Sequence, residues 1–478
     1  MRLKVAGLNV ADIDLGGFDA ESDKRLAEYF VATSYTTNLA SGKGTLFLGR
    51  KGSGKSALFT QMPRLLAVQA TQLSLVSLTP DQYAWAALRT YTEQGLMPEQ
   101  AHANAWRITL LVETAATLCS LERLWSDEAT AAIRDLRKFL ADNFGVVETS
   151  PTTKAAALVK SLNRLNLTAF GVGIGVDLGG TPGPTLTPDV SNKMLERLAL
   201  PLREVGVVVA LDRLDESWDG SPDSRSLIIG LLKAAKDLND RLGLSIDGKG
   251  LRVLVFLRSD IYDSLEFDDK DKHRPTERQI LWSSDELKEM LRRRLPDGTA
   301  VDELFETGEM RGSISPFNYI VKRTFLRPRE ILQFVDACLQ AAGPAATEVT
   351  KDDIRTAETV YSGWKVDDLK QEFRKVYPYF DRLLECLRQE VHRYDSLEEL
   401  VELLTRKAPD LVAAHGARSL LEILFEASVV GVRLGGSGSA KFKSEDPYLA
   451  LPSSGAVYVH QGLYDGLNIK EARKAAEA

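Results

Sequence analysis

At 478 residues, 44% of them hydrophobic and 27% charged, the chain has the composition of a globular protein with room for two or three domains. A formal net charge of −7 argues against a broadly basic surface built for nucleic acid. Cys119, Cys338 and Cys386 stand far apart with no C-x-x-C pair and no matching histidine spacing, which excludes a disulfide framework and a zinc site, and no run approaches 18 apolar residues, so the expectation is a cytoplasmic protein with no membrane contact.

In chain order, "DAESDKRLAEYFVAT" (19–33) reads as an amphipathic helix and "GTLFL" (44–48) as a buried strand. Between that strand and the helical "KSALFTQMPRLL", the residues Gly49, Gly54, Lys55 and Ser56 fit G-x-x-x-x-G-K-[ST], a loop whose backbone N–H groups cradle phosphates. Gly52, Ser53 and Ala57 complete the candidate nucleotide-binding set, which fits ATP. Lys55 is expected at the β- and γ-phosphates and the Ser56 hydroxyl at Mg²⁺. "QLSLVSL" (72–78) is a second strand. From about 81 to 165 the pattern is helical, with Trp85, Trp106 and Trp125 expected in the interior. The glycine- and proline-rich "LTAFGVGIGVDLGGTPGPTLTP" (167–188) has the wrong spacing for a dinucleotide fingerprint and reads as a small-residue hairpin and loop.

"VGVVVALDRLDESWD" (205–219) is a β-branched run ending in acids, the pattern of a buried parallel strand that delivers carboxylates to the carboxyl edge of a sheet. Asp212 is placed for the Mg²⁺ shell. Asp215 or Glu216 would activate the attacking water, and Glu216 is the first choice. The strand in "LRVLVFLRSDIYDSL" (251–265) ends in Arg258, which either senses the γ-phosphate or pairs with nearby acids. "RQILWSSDELKEMLRRRL" (278–295) reads as a short strand and a helix opened by a Ser283/Glu286 capping box. Arg292, Arg293 and Arg294 read as its solvated end, an arginine finger toward a neighbouring subunit being the other reading. In "VKRTFLRPREILQFVDACLQAA" (321–342), Pro328 suits a first helical turn. That leaves Arg327 and Arg329 at the end where cations are disfavoured unless an anion lies opposite, and Arg329 is taken as the lid arginine.

This order of loop, acids and arginines resembles the additional-strand ATPases, within them the AAA+ and STAND-like group. More narrowly, "AESDKRLAEYF", "FLGRKGSGKSAL", "DRLDESW", "LRSDIY" and "RPRE" resemble a family of bacterial P-loop ATPases found as stand-alone proteins and in mobile or defence-related contexts. The resemblance implies ATP hydrolysis, with one departure: Asp212 is not followed directly by Glu. The expected fold is α/β. Residues 1–80 hold an N-terminal helix and the start of a P-loop core with a parallel sheet, and 81–190 form a helical insertion. Residues 191–298 complete the core, 299–379 form a helical lid, and 380–478 a winged-helix-like domain. That last stretch carries 12 Lys and Arg against 15 Asp and Glu, a net of −3, which favours a protein contact over DNA. The expected partners are therefore ATP and either a second copy of the chain or another protein, met through the insertion or the C-terminal domain. His460, with no Ser-His-Asp or metal constellation around it, reads as packed or capping. Function reads as an ATP-driven conformational switch, in phage defence or DNA handling. The alternatives are a small-molecule phosphotransferase, for which no acceptor pocket is identified, and an ATP-binding scaffold without turnover.

Overall fold

The computed structural model describes residues 9–67, 73–79, 88, 96–144, 188–245, 247–433 and 439–471. The glycine-rich 167–187 and Trp85 lie outside them. The chain divides into two compact units: residues 32–50 with 55–280, and residues 1–31 with 51–54 and 281–478.

The first unit is built on a five-stranded parallel sheet, β1 (Leu46–Leu48), β2 (Leu73–Leu78), β3 (Gly206–Leu211), β4 (Gly250–Leu257) and β5 (Glu277–Gln279), in the order β2-β3-β4-β1-β5. Every residue of β3 and β4 is buried, as their apolar runs require when both faces of a sheet are covered, and Arg252 within β4 donates to the carbonyls of Leu39 and Gly44. The strand that leads into the glycine loop and the strand that leads to Asp212 are not neighbours, because β4 is interposed between them. Since all five strands run parallel, the segments after β1, β3 and β4 leave the sheet at one edge, where open α/β sheets gather ligands.

The helix Lys55–Ala67 follows β1 and the helix Pro222–Leu242 follows β3. Ser221 caps the latter by accepting from the N–H of Ser224, and Pro222 occupies its first turn. The helix Pro98–Ser120 packs closely on it: Trp106, fully buried, donates its indole N–H to the carbonyl of Leu227 at 3.0 Å, and a Cβ added at Gly230 would lie 2.7 Å from the Ala103 nitrogen. Helices Asp127–Phe144 and Pro188–Ala199 join the same apolar core. Trp125 is only half-buried, its ring covered by the guanidinium of Arg123.

In the second unit, the periodicity over 19–33 gives a helix only at Leu26–Tyr29. Phe30 turns to extended backbone, and a new helix begins at Ser34 in the other unit, where the Thr36 hydroxyl accepts from the Thr33 N–H at 2.8 Å. Helices Ser284–Arg292, Pro316–Val321, Pro328–Ala342 and Lys351–Phe373 enclose one apolar core. The capping box of Ser283 and Glu286 is formed.

Beyond them, the helices Phe380–Glu385, Leu397–Lys407, Pro409–His415 and Ala417–Glu426 share another core with a small antiparallel sheet. Its strands β6 (Arg393–Tyr394), β7 (Val430–Val432) and β8 (Val457–Val459) lie in the order β6-β8-β7. His460 is buried there between the rings of Phe325 and Phe442, and its Nδ1 accepts from the N–H of Gly462. Among the described residues no helix is long and apolar enough to cross a membrane and no metal-binding cluster of His, Cys, Asp and Glu occurs, while all three cysteines are buried and free.

Candidate functional site

Gly49 closes β1 and is tied to β4 on both sides. Its N–H donates to the Leu257 carbonyl at 3.2 Å, and its own carbonyl accepts from the N–H of Ser259 at 3.3 Å. The chain then turns through Gly52 (φ +81°) and Gly54 (φ +96°), backbone that residues with a Cβ rarely adopt, and enters the helix at Lys55. Ser53, between them, is buried. Lys55 is buried too, and its ammonium curls back to donate to the carbonyls of Gly49 (2.8 Å) and Arg50 (3.2 Å). Burial pushes its pKa down, while Asp215 and Asp212 pull it up. A cation desolvated this far and satisfied by neutral carbonyls has strong affinity for an incoming anion. Ser56 and Ala57 stand in the first turn of the helix, both half-buried.

Asp212 leaves β3 beside this lysine and is 2% exposed. Burial raises its carboxyl to about 6, against the opposing pull of Lys55, the Arg213 N–H and the Ser56 hydroxyl. Its Oδ2 is buried with no hydrogen-bond partner among the described residues. A buried carboxylate oxygen left over, next to a hydroxyl, is the donor set a magnesium ion uses when phosphates and waters fill the remaining positions. The residues present therefore fit Mg²⁺, with Ser56 and Asp212 to hold it. The Asp212→Asn variant is expected to need about ten- to a hundredfold more Mg²⁺ for half-maximal ATP binding, measured by titrating Mg²⁺ at fixed nucleotide; an unchanged Mg²⁺ requirement would remove Asp212 from the ion's shell.

The two acids that follow part company. Arg213 takes a positive φ of 63° and bonds Glu216 at 2.5 Å, leaving Glu216 an exposed, paired surface group. Asp215 instead lies 3.8 Å from the Arg258 guanidinium and acts on the charges of both Lys55 and Asp212. Arg258, at the end of β4, is buried and held by Asp260 through two bonds of 3.1 and 2.5 Å. Lys55, Ser56, Asp212, Asp215 and Arg258 thus gather in one unit, while the exposed Glu216 is paired with Arg213.

Arg329 belongs to the other unit, as do residues 51–54. It donates to the Phe18 carbonyl at 3.3 Å, and its Cβ lies 3.2 Å from where a Cβ on Gly52 would stand. Two more residues meet the loop: Arg327, which the sequence places beside Arg329 at a helix end that calls for an anion, and Trp282, to which the sequence assigns no role. Arg327, buried at the N-cap of the helix Pro328–Ala342, donates to the Lys51 carbonyl at 3.1 Å and to Glu372 at 2.9 Å. Trp282 donates its indole N–H to the Ser53 carbonyl at 2.8 Å. The only signals for them were a second arginine in R-P-R and a tryptophan just before a capping box. Of the three arginines read as a solvated helix end, Arg292 and Arg293 pair with Glu289. Arg294 is instead buried on the Tyr29 ring and bonded to the Leu15 carbonyl.

The family described as the FunZ-associated C-terminal helical domain matches residues 284–370. In sequence, the chain is 23% identical over 494 residues to an Escherichia coli (strain K12) protein of 80.3 kDa named for transposon gamma-delta, covering 97% of this chain and 68% of that protein. Among solved structures it is similar to the Orc1 protein of Aeropyrum pernix in complex with DNA (11% identity, TM-score 0.33, 93% of this chain and 92% of that one). It is also similar to Cdc6p from Pyrobaculum aerophilum (11%, 0.28, 91% and 89%) and to the Orc2 protein of Aeropyrum pernix in ADPNP–ADP complexes (12%, 0.27, 84% and 84%).

Proposed function

We propose that this chain binds ATP with Mg²⁺, hydrolyses it, and uses the γ-phosphate to switch conformation. The observation that carries the reading is the juxtaposition of the end of β3 with the start of the helix Lys55–Ala67: a buried lysine bonded to loop carbonyls, beside a buried carboxylate with one unbonded oxygen and a serine hydroxyl. An anionic chain of phosphates with a divalent cation satisfies all three at once.

In this reading, Lys55 releases the carbonyls of Gly49 and Arg50 and takes the β- and γ-phosphates. Ser56 and Asp212 hold Mg²⁺, which when bound offsets charge shared between those phosphates. Asp215 is the acid that takes a proton from the attacking water, because it is the one facing Arg258 and Lys55. Arg258, fixed by Asp260, supplies positive charge where the leaving phosphate gathers negative charge. Arg329 senses the γ-phosphate, and ADP, lacking that group, releases it. The likeness to a protein named for a transposon directs the search for the setting to mobile DNA.

A charge-assisted bond from Arg329 is worth roughly 1.5–3 kcal/mol, about ten- to a hundredfold in preference for the ATP-bound state. Arg329→Ala is expected to bind ADP normally while losing the protection from limited proteolysis that a non-hydrolysable ATP analogue gives the wild type. Equal protection by ATP analogue and ADP in the wild type would end the γ-phosphate switch. A normal analogue response in the variant would end the role of Arg329 within it.

A further inference from the structure

We propose that Trp282 and Arg327 are positioning residues that set the phosphate loop's backbone from outside, each by holding one carbonyl. The inference rests on the reading of this loop as an anion site and adds how its geometry is imposed. In a trans peptide the C=O and the next N–H point in opposite directions. Arg327 holds the Lys51 carbonyl, which turns the Gly52 N–H away from Arg327. Trp282 holds the Ser53 carbonyl, which turns the Gly54 N–H away from the indole. The two held planes alternate along the loop, at the two glycines whose positive φ lets successive N–H groups converge on an anion.

The contacts are specific. The ring of Trp282 would meet a Cβ on Gly54 at 3.8 Å, and Arg327 is fixed by Glu372 at 2.9 Å and Glu330 at 3.5 Å, carboxylates that are themselves buried. Glu330 also pairs with Lys365, so the guanidinium on the loop is anchored in the helices Pro328–Ala342 and Lys351–Phe373. Between the two held planes, the Ser53 hydroxyl is buried with no hydrogen-bond partner among the described residues, and a phosphate oxygen would give it an acceptor. Residues 51–54 belong to the same compact unit as both clamping side chains, although the chain enters and leaves them from the other. Nucleotide affinity is thereby tied to the packing of Trp282 and Arg327.

Because the held peptides face phosphate and not base, loss of a clamp weakens ATP, ADP and bare pyrophosphate alike. Trp282→Phe keeps the ring and removes the N–H. It is expected to raise the Kd for ADP and for pyrophosphate by the same factor, about fivefold to tenfold, with the melting temperature of the nucleotide-free chain unchanged. Arg327→Lys keeps a cation for Glu372 and Glu330 while giving up the planar fork, and is expected to act in the same direction. In the nucleotide-free full chain, amide exchange of the peptide 47–59 is expected to quicken in Trp282→Phe while exchange elsewhere holds. Unaltered exchange in that peptide together with unaltered pyrophosphate affinity would overturn the clamp. The exchange measurement needs no nucleotide, so it decides the clamp even if the wild type bound no ATP, a result that would sink the functional reading instead.

Discussion

Lys55→Ala is expected to bind ATP and ADP at least a hundredfold more weakly than the wild type while folding as well as it does. The lysine is buried, and its ammonium donates to the carbonyls of Gly49 and Arg50. Desolvation depresses its pKa, so the fold carries the ammonium at a cost in the absence of an anion. Removing the side chain relieves that cost, and no apolar packing is lost beyond a methylene stem. With phosphates bound the same ammonium makes charge-assisted bonds worth roughly 1.5–3 kcal/mol each, and two of them give about 10²- to 10⁴-fold in affinity. Calorimetric titration of the folded variant checks it, and an unchanged Kd would mean the loop does not hold phosphate through this residue.

The second large effect separates the two acids after β3. Asp215→Asn is expected to lower kcat about 10²- to 10⁴-fold with ATP still bound, the range a positioned general base contributes. Glu216→Gln is expected to stay within a few-fold of wild type, since its carboxylate is exposed and engaged by Arg213. Asp215 is the acid that sits among the charges of the site, 3.8 Å from the Arg258 guanidinium and near the charge of Lys55. Single-turnover hydrolysis with both variants distinguishes them, and a slow Glu216→Gln beside a normal Asp215→Asn would assign the proton to the other acid.

Much of the sheet was legible because it depends on local rules. The run "VGVVVAL" has no polar position to offer solvent and "LRVLVFL" has only Arg252, so both read as buried strands, and the loop motif sat between strand and helix as its chemistry demands. The different surroundings of Asp215 and Glu216 were not legible, because Glu216 pairs with Arg213, a residue in a left-handed conformation that a non-glycine rarely adopts. Nor were the partners of Arg327 and Arg294. Charged residues at helical spacing read as solvated, and nothing in the local pattern announces that Glu372, 45 residues away, will meet Arg327 in the interior. The long helix expected over 19–33 is confined to Leu26–Tyr29, where Asp23 and Tyr29 are drawn into contacts with each other and with the buried Arg294. Trp282 could be seen as aromatic but not as a donor to a loop 229 residues away.

The most direct measurement is phosphate release from ATP by the purified full chain, with and without Mg²⁺, beside Lys55→Ala prepared identically. The account predicts steady Mg²⁺-dependent release by the wild type and none above background by Lys55→Ala. Release at the same rate by both proteins, or none from a wild type shown to bind Mg²⁺ and ATP, would contradict it.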